Sequence, residues 1–153
     1  MFRLCFPESS LFDQNTFYRA FERDLLRARQ EVIIESPFIT ASRMDLLLPI
    51  FRKLSRRGVR IFVNTRHPEE HEGDYCRQAA EAVVTLQDMG AIVLYTGGHH
   101  RKLAIIDRKV FYEGSLNILS YRDSCEIMRR VASSVEAKKL LRFIGLMKYV
   151  GSI

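Results

Sequence analysis

The sequence predicts an α/β fold: one domain over residues 1–153, built on a mixed β-sheet flanked by helices on both faces. Three observations carry this expectation. Helix-period and strand-like segments alternate as far as Tyr95, two strand-like runs then flank a tight turn near Asp107-Arg108-Lys109, and 47% of the residues are hydrophobic. A chain of 153 residues with that composition can bury a core of its own.

The elements follow in order. Asn15 or Thr16 can cap a helix in which Phe17, Phe21, Leu25 and Ala28 recur at helical spacing. Val32-Ile33-Ile34 reads as a buried strand stopped by Ser36-Pro37. A second helix is predicted over 42–57, with Pro49 either kinking it or marking a late start, and Gly58 ending it. Val59 to Val63 alternates as the next strand, and 66–74 read as loop. Tyr75 to Met89 is predicted helical, with Ala79, Ala82, Val83 and Leu86 on its apolar side and Gly90 as its stop. Ala91 to Tyr95 makes a strand before the turn Gly97-Gly98, and Glu126 to Val131 makes another after the hairpin. Ser133 and Glu136, three apart as in a capping box, open the last helix.

Bulk properties narrow the function classes. The formal charge of +6 and a pI of about 9.5 favour polyanionic partners. Cys5, Cys76 and Cys125 lack C-x-x-C spacing and are odd in number, so reduced thiols and a cytoplasmic location are expected. Residues 1–7 are too short for a signal peptide, and no apolar run approaches the ~18 residues of a membrane span.

The chemistry is concentrated in residues 100–117, HRKLAIIDRKVFYEGSLN. On extended backbone, residues two apart share a face, so His100 and Lys102 project together, as do Ser115 and Asn117. An imidazole offers a nucleophile or a proton shuttle near neutral pH. The Lys102 ammonium, Asn117 amide and Ser115 hydroxyl are donors suited to phosphate oxygens. Gly114 removes a side chain where a substrate backbone would approach. Asp107 falls in the turn and on the other strand face, which points to a structural role. Chance would give the spacing H-x-K-x4-D-x6-G-S-x-N in such a chain on the order of one time in a million.

These six residues resemble the signature of the phospholipase D superfamily, matched at His100, Lys102, Asp107, Gly114, Ser115 and Asn117. Glu35 to Thr40 and Arg57 to Val63 are similar, more weakly, to that family's strand-to-loop and helix-to-strand segments. The resemblance implies a metal-independent, two-step phosphodiesterase with no cofactor, and makes Glu126 the acidic residue that orients the histidine. Larger members carry two motifs, whose histidines work across a shared site. Here the residue two positions after His67, His71 and His99 is Glu, Gly or Arg, so the motif is single. In length and element order the chain is most similar to the family's small bacterial endonucleases, which dimerise. The resemblance therefore implies a homodimer in which one His100 attacks phosphorus and the other protonates the leaving oxygen. Lys102 and Asn117 would neutralise the phosphoryl oxygens, and Ser115 would assist by hydrogen bonding.

Nucleic acid is the expected partner, with DNA ranked before RNA. Arg101, Arg108, Lys109, Arg122, Arg129 and Arg130 surround the motif in sequence; Arg101 and Arg122 are expected to contact substrate phosphates. Arg52, Lys53, Arg56 and Arg57 crowd one helix end, where cations are favoured in any case. Two other functions share these features: a phospholipid phosphodiesterase or transphosphatidylase, and a non-catalytic nucleic-acid-binding module. The run His67-Pro68-Glu69-Glu70-His71 also fits H-x-x-E-H, but that zinc pattern requires a helix, and Pro68 and the loop setting oppose one.

Overall fold

In a computed structural model, residues 7–120 and 123–151 are described. The elements are β1 (Glu8–Asp13), α1 (Phe17–Arg27), β2 (Glu31–Glu35), α2 (Ala41–Arg56), β3 (Arg60–Thr65), a short 3-10 turn (Pro68–Glu70), α3 (Asp74–Asp88), β4 (Ile92–Tyr95), β5 (Leu103–Ile106), β6 (Val110–Gly114), β7 (Ile127–Ala132), α4 (Ser134–Phe143) and α5 (Met147–Val150). The strands form one mixed sheet in the order β1-β7-β6-β5-β2-β3-β4. Pairing is parallel between β2 and β3 and between β3 and β4, and antiparallel elsewhere.

Each face of the sheet has its own core. Val32, Ile34, Ile61 and Val63 alternate towards α1, α2 and α3, which contribute Phe17, Phe21, Leu47, Phe51 and Leu86. Ile33, Phe62, Ile105 and Phe111 alternate the other way, against Ala137 and Leu141 of α4 and Val150 of α5. Strands buried on both faces read as the continuous apolar runs seen in the sequence. Pro49 neither ends nor delays α2, which continues through it. It lies on the exposed side, where water can satisfy the carbonyl it leaves free. The Ser133 hydroxyl accepts from the Glu136 amide at 3.3 Å, as the capping spacing predicts.

Two cations that surround the motif in sequence, Arg108 and Arg130, and Arg57 from the helix-end cluster are held by partners inside the protein. Arg108, 6% exposed, is paired with the fully buried Glu31 at 2.6 Å, and Arg60 reaches the same carboxylate. Arg130 is paired with Asp24, which also accepts from the Tyr112 hydroxyl. Arg57 donates to the Leu26 and Ala28 carbonyls. Burying a carboxylate is costly unless it is paired, and Arg108, Arg60 and Arg130 meet that need. Arg122 lies outside the described residues, as does Cys5.

Asp107 and Arg108 both adopt positive φ, 52° and 51°, in the tight turn that joins β5 to β6, closed by the Lys109 amide donating to the Ile106 carbonyl at 3.0 Å. The Asp107 carboxylate accepts the backbone N–H groups of Arg29, Gln30 and Glu31 at 2.9, 2.8 and 3.0 Å. It thus fastens the start of β2 to the far end of β5. Asp107→Ala should lower stability by about 3 kcal/mol, since three N–H groups lose a charged acceptor. Denaturant titration checks this, and turnover per folded molecule should persist.

Candidate active site

The carboxyl ends of β2, β3 and β4 and the amino end of β5 meet at one edge of the sheet. The chain approaches β5 through residues 99–102, so His100 and Lys102 stand at that edge. The Lys102 Nζ donates to the His100 carbonyl at 2.7 Å and lies 3.2 Å from its ring Nδ1. His100 is exposed and Lys102 half-buried. Burial pulls the Lys102 ammonium below the usual lysine range; Glu126 opposes that shift and Arg66 reinforces it.

Antiparallel pairing supplies the next groups. The Gly114 amide donates to the Lys102 carbonyl at 3.3 Å, so β6 ends beside Lys102. The Ser115 hydroxyl donates to the Glu126 carboxylate and accepts from the Ile127 amide at 3.0 Å. Ser124 donates to the other Glu126 oxygen at 2.6 Å. The Glu126 carboxylate engages two serine hydroxyls, and among the described residues it makes no hydrogen bond to His100. The reason is register, because β7 pairs with β6 and delivers Glu126 to Ser115 first.

Two further predicted residues have close neighbours inside the protein. The Arg101 guanidinium makes a two-pronged contact with the fully buried Glu35, at 2.7 and 2.9 Å. It points away from His100 and Lys102 because neighbouring residues on extended backbone face opposite ways. Gly114 does not face an open approach: a Cβ there would lie 2.0 Å from the Ile127 carbonyl oxygen. The close neighbour is β7.

Asn117 lines a small polar cavity with Gln14, Tyr18, Arg43, Asp123 and Glu126. Its side-chain Oδ1 is buried and has no hydrogen-bond partner among the described residues. Burial pushes the Tyr18 hydroxyl far above its usual range and keeps it a donor, to the Ile118 carbonyl at 2.9 Å. Arg43 lies over the Tyr18 ring, 3.5 Å from its centroid. Tyr18, Arg43 and Gln14 were missed in the sequence, where they read only as helix starts. Arg66 was missed too; its position just past a predicted strand was the available signal. Its Nε donates to the His99 carbonyl at 2.7 Å, one residue from His100.

The two histidines of the H-x-x-E-H run diverge. His67 caps the 3-10 turn and meets the Tyr95 ring, while His71 is buried against Phe38. Among the described residues, no three His, Cys, Asp or Glu side chains are grouped as metal ligands would be.

Residues 21–144 match the family described as cardiolipin synthase, PLD-like domain. The chain belongs to the phospholipase D superfamily. Its fold is similar to that of Nuc, a phospholipase D family member from Salmonella typhimurium, with 15% identity and a TM-score of 0.72 over 90% of this chain and 91% of that one. NucT from Helicobacter pylori is similar at 17% identity and a TM-score of 0.74, over 94% and 96% of the two chains. The phosphatidylserine synthase of Haemophilus influenzae Rd KW20 shares the fold at 13% identity and a TM-score of 0.65, over 94% of this chain but 39% of its own. Comparison with curated proteins gives no match. The superfamily motif and the sheet edge described above coincide: His100, Lys102, Ser115 and Asn117 all sit there. Asp107 alone lies at the opposite end.

Proposed function

We propose that this chain is a metal-independent nuclease that hydrolyses phosphodiester bonds at a site shared between two copies. The observation that carries the reading is the contact of His100 with Lys102 beside the Ser115–Glu126 pair, in a chain holding one such motif. In the first step an imidazole nitrogen of one His100 bonds to phosphorus as the P–O bond to the leaving oxygen breaks. His100 of the second copy, protonated, gives its proton to that oxygen. Water then attacks the phosphohistidine, passes its proton to the second imidazole, and the P–N bond breaks. Lys102 of each copy balances the charge on the phosphoryl oxygens, and Asn117 adds an amide donor from the cavity wall. Ser115, tethered to Glu126, fixes the floor beside them.

Support for a shared site comes from the sheet face beside it. Leu11 and Ile127, both more than half exposed, lie on the α4 side of β1 and β7, and Phe143 of α4 is 85% exposed. Glu113 and Arg129 are cross-strand partners on that same face. Under a two-fold axis such a surface meets itself with apolar on apolar and acid on base.

Cleavage of a nucleic acid should persist in excess EDTA, because nucleophile, acid and cations are all side chains. Gel assays of plasmid and oligonucleotide substrates check this. Loss of cleavage on chelation, with recovery on adding Zn²⁺ or Mg²⁺, would remove the mechanism.

A further inference from the structure

Beside His100 the same sheet edge carries rings and cations that the chemistry above does not use. Phe38 follows β2, Arg66 follows β3, and Tyr75 opens α3. The path runs outward from the site in short steps. Arg66 Nε is 2.7 Å from the His99 carbonyl, and the Arg66 guanidinium lies 5.4 Å from the Phe38 ring centroid. Phe38 in turn lies 5.0 Å from the His71 ring and 6.1 Å from Tyr75. Arg66 is close enough to Lys102 to depress its ammonium further.

These rings do not merely fill a core. Tyr75 is 37% exposed, and Phe38 is only partly covered. His71 is 8% exposed, and its buried Nε2 has no hydrogen-bond partner among the described residues. Cation and ring side by side answer the two halves of a nucleotide, phosphate and base face. A duplex hides its base faces in the stack, so it would gain nothing from the rings. A lipid headgroup would use Arg66 but has no planar group for Phe38 and Tyr75.

We propose that Phe38, Tyr75 and His71, with Arg66, form a subsite for an unpaired nucleotide next to the scissile phosphate. The base lies on Phe38 and Tyr75 and its phosphate on Arg66, so the preferred substrate is single-stranded nucleic acid. This rests on the nuclease reading for its meaning, though not for its measurement.

Fluorescence anisotropy with a short oligothymidylate, an abasic strand of equal length and a duplex separates the contributions. The wild-type protein should bind oligothymidylate about tenfold or more tightly over the abasic strand, the scale of stacking one or two bases. Tyr75→Leu and Phe38→Leu should each remove most of that preference, while Tyr149→Leu on α5 should not change it. Arg66→Gln should weaken both strands alike and flatten the salt dependence. Equal binding of oligothymidylate and abasic strand would overturn the subsite. So would a duplex bound with the same dependence on Tyr75, or a Tyr75→Leu protein that changes oligomeric state, which would make the strip an interface. Base-preferring binding without cleavage, alongside hydrolysis of phosphatidylcholine vesicles, keeps the subsite and removes the nuclease reading.

Discussion

His100→Ala should abolish turnover on any phosphodiester while leaving the protein folded. The loss should be on the order of 10⁴-fold or more, because in a symmetric pair the substitution deletes the nucleophile and the general acid together. The ring is exposed and its hydrogen-bonding contacts are with Lys102, so circular dichroism and the thermal midpoint should barely move. His99 gives the contrast. It was read in the sequence as outside the chemistry, and it is 3% exposed with its ring Nε2 unpartnered among the described residues. Burial holds its imidazole below the usual histidine range. His99→Ala should therefore reduce stability by about 1–3 kcal/mol, by opening a cavity, and retain turnover in the folded fraction. Mixing excess His100→Ala subunits with wild type, under exchange, should also suppress activity through mixed pairs. A fully active monomer in sedimentation would sink the shared-site reading, and equal losses for His99 and His100 would mean the motif's register is wrong.

The contrast between those two histidines shows where the sequence is legible. Spacing of two on extended backbone placed His100 with Lys102, and apolar periodicity located α1, α2, α3 and the central strands. The tight turn near Asp107-Arg108 was equally readable, because two strand-like apolar runs flank it. What local pattern could not supply was pairing across the sheet. β1, ESSLFD, is an edge strand with mostly exposed residues and reads as polar loop until β7 is beside it. The same blindness hid the partners of the residues at the site. Arg101 meets Glu35, Arg108 meets Glu31 and Glu126 meets Ser115 because strands distant in sequence run side by side. A run of basic residues around a motif says nothing about which of them already has a carboxylate to neutralise. Arg66 and Tyr18 were missed for the converse reason: each comes to the site from another element and stands outside the motif, with only Arg66's place just past a strand as a signal.

Gly114 carries the second large effect, and it separates two explanations of one residue. If the glycine leaves room for substrate, Gly114→Ala should raise KM and leave the thermal midpoint alone. The geometry predicts otherwise. An added Cβ would lie 2.0 Å from the Ile127 carbonyl oxygen and 2.8 Å from the Met128 sulfur. Backbone cannot yield there as a flexible side-chain tip would, so β7 must move off β6 at its last paired residue, Gly114 opposite Met128. That movement strains the Ser115 amide's bond to the Ile127 carbonyl, now 2.9 Å, and the return bond from the Ile127 amide to the Ser115 hydroxyl. Glu126, which immediately precedes β7, shifts with it and leaves Ser115. Overpacking of this kind costs about 1–3 kcal/mol, and misplacing a site by about 1 Å costs on the order of 10²-fold in rate. Gly114→Ala should thus lose stability and kcat together although every motif side chain is intact. Gly97→Ala, in open space at a nearby turn, should change neither. Thermal melts and steady-state kinetics on the three proteins decide the matter: an unchanged melting point with only KM raised would return Gly114 to the substrate.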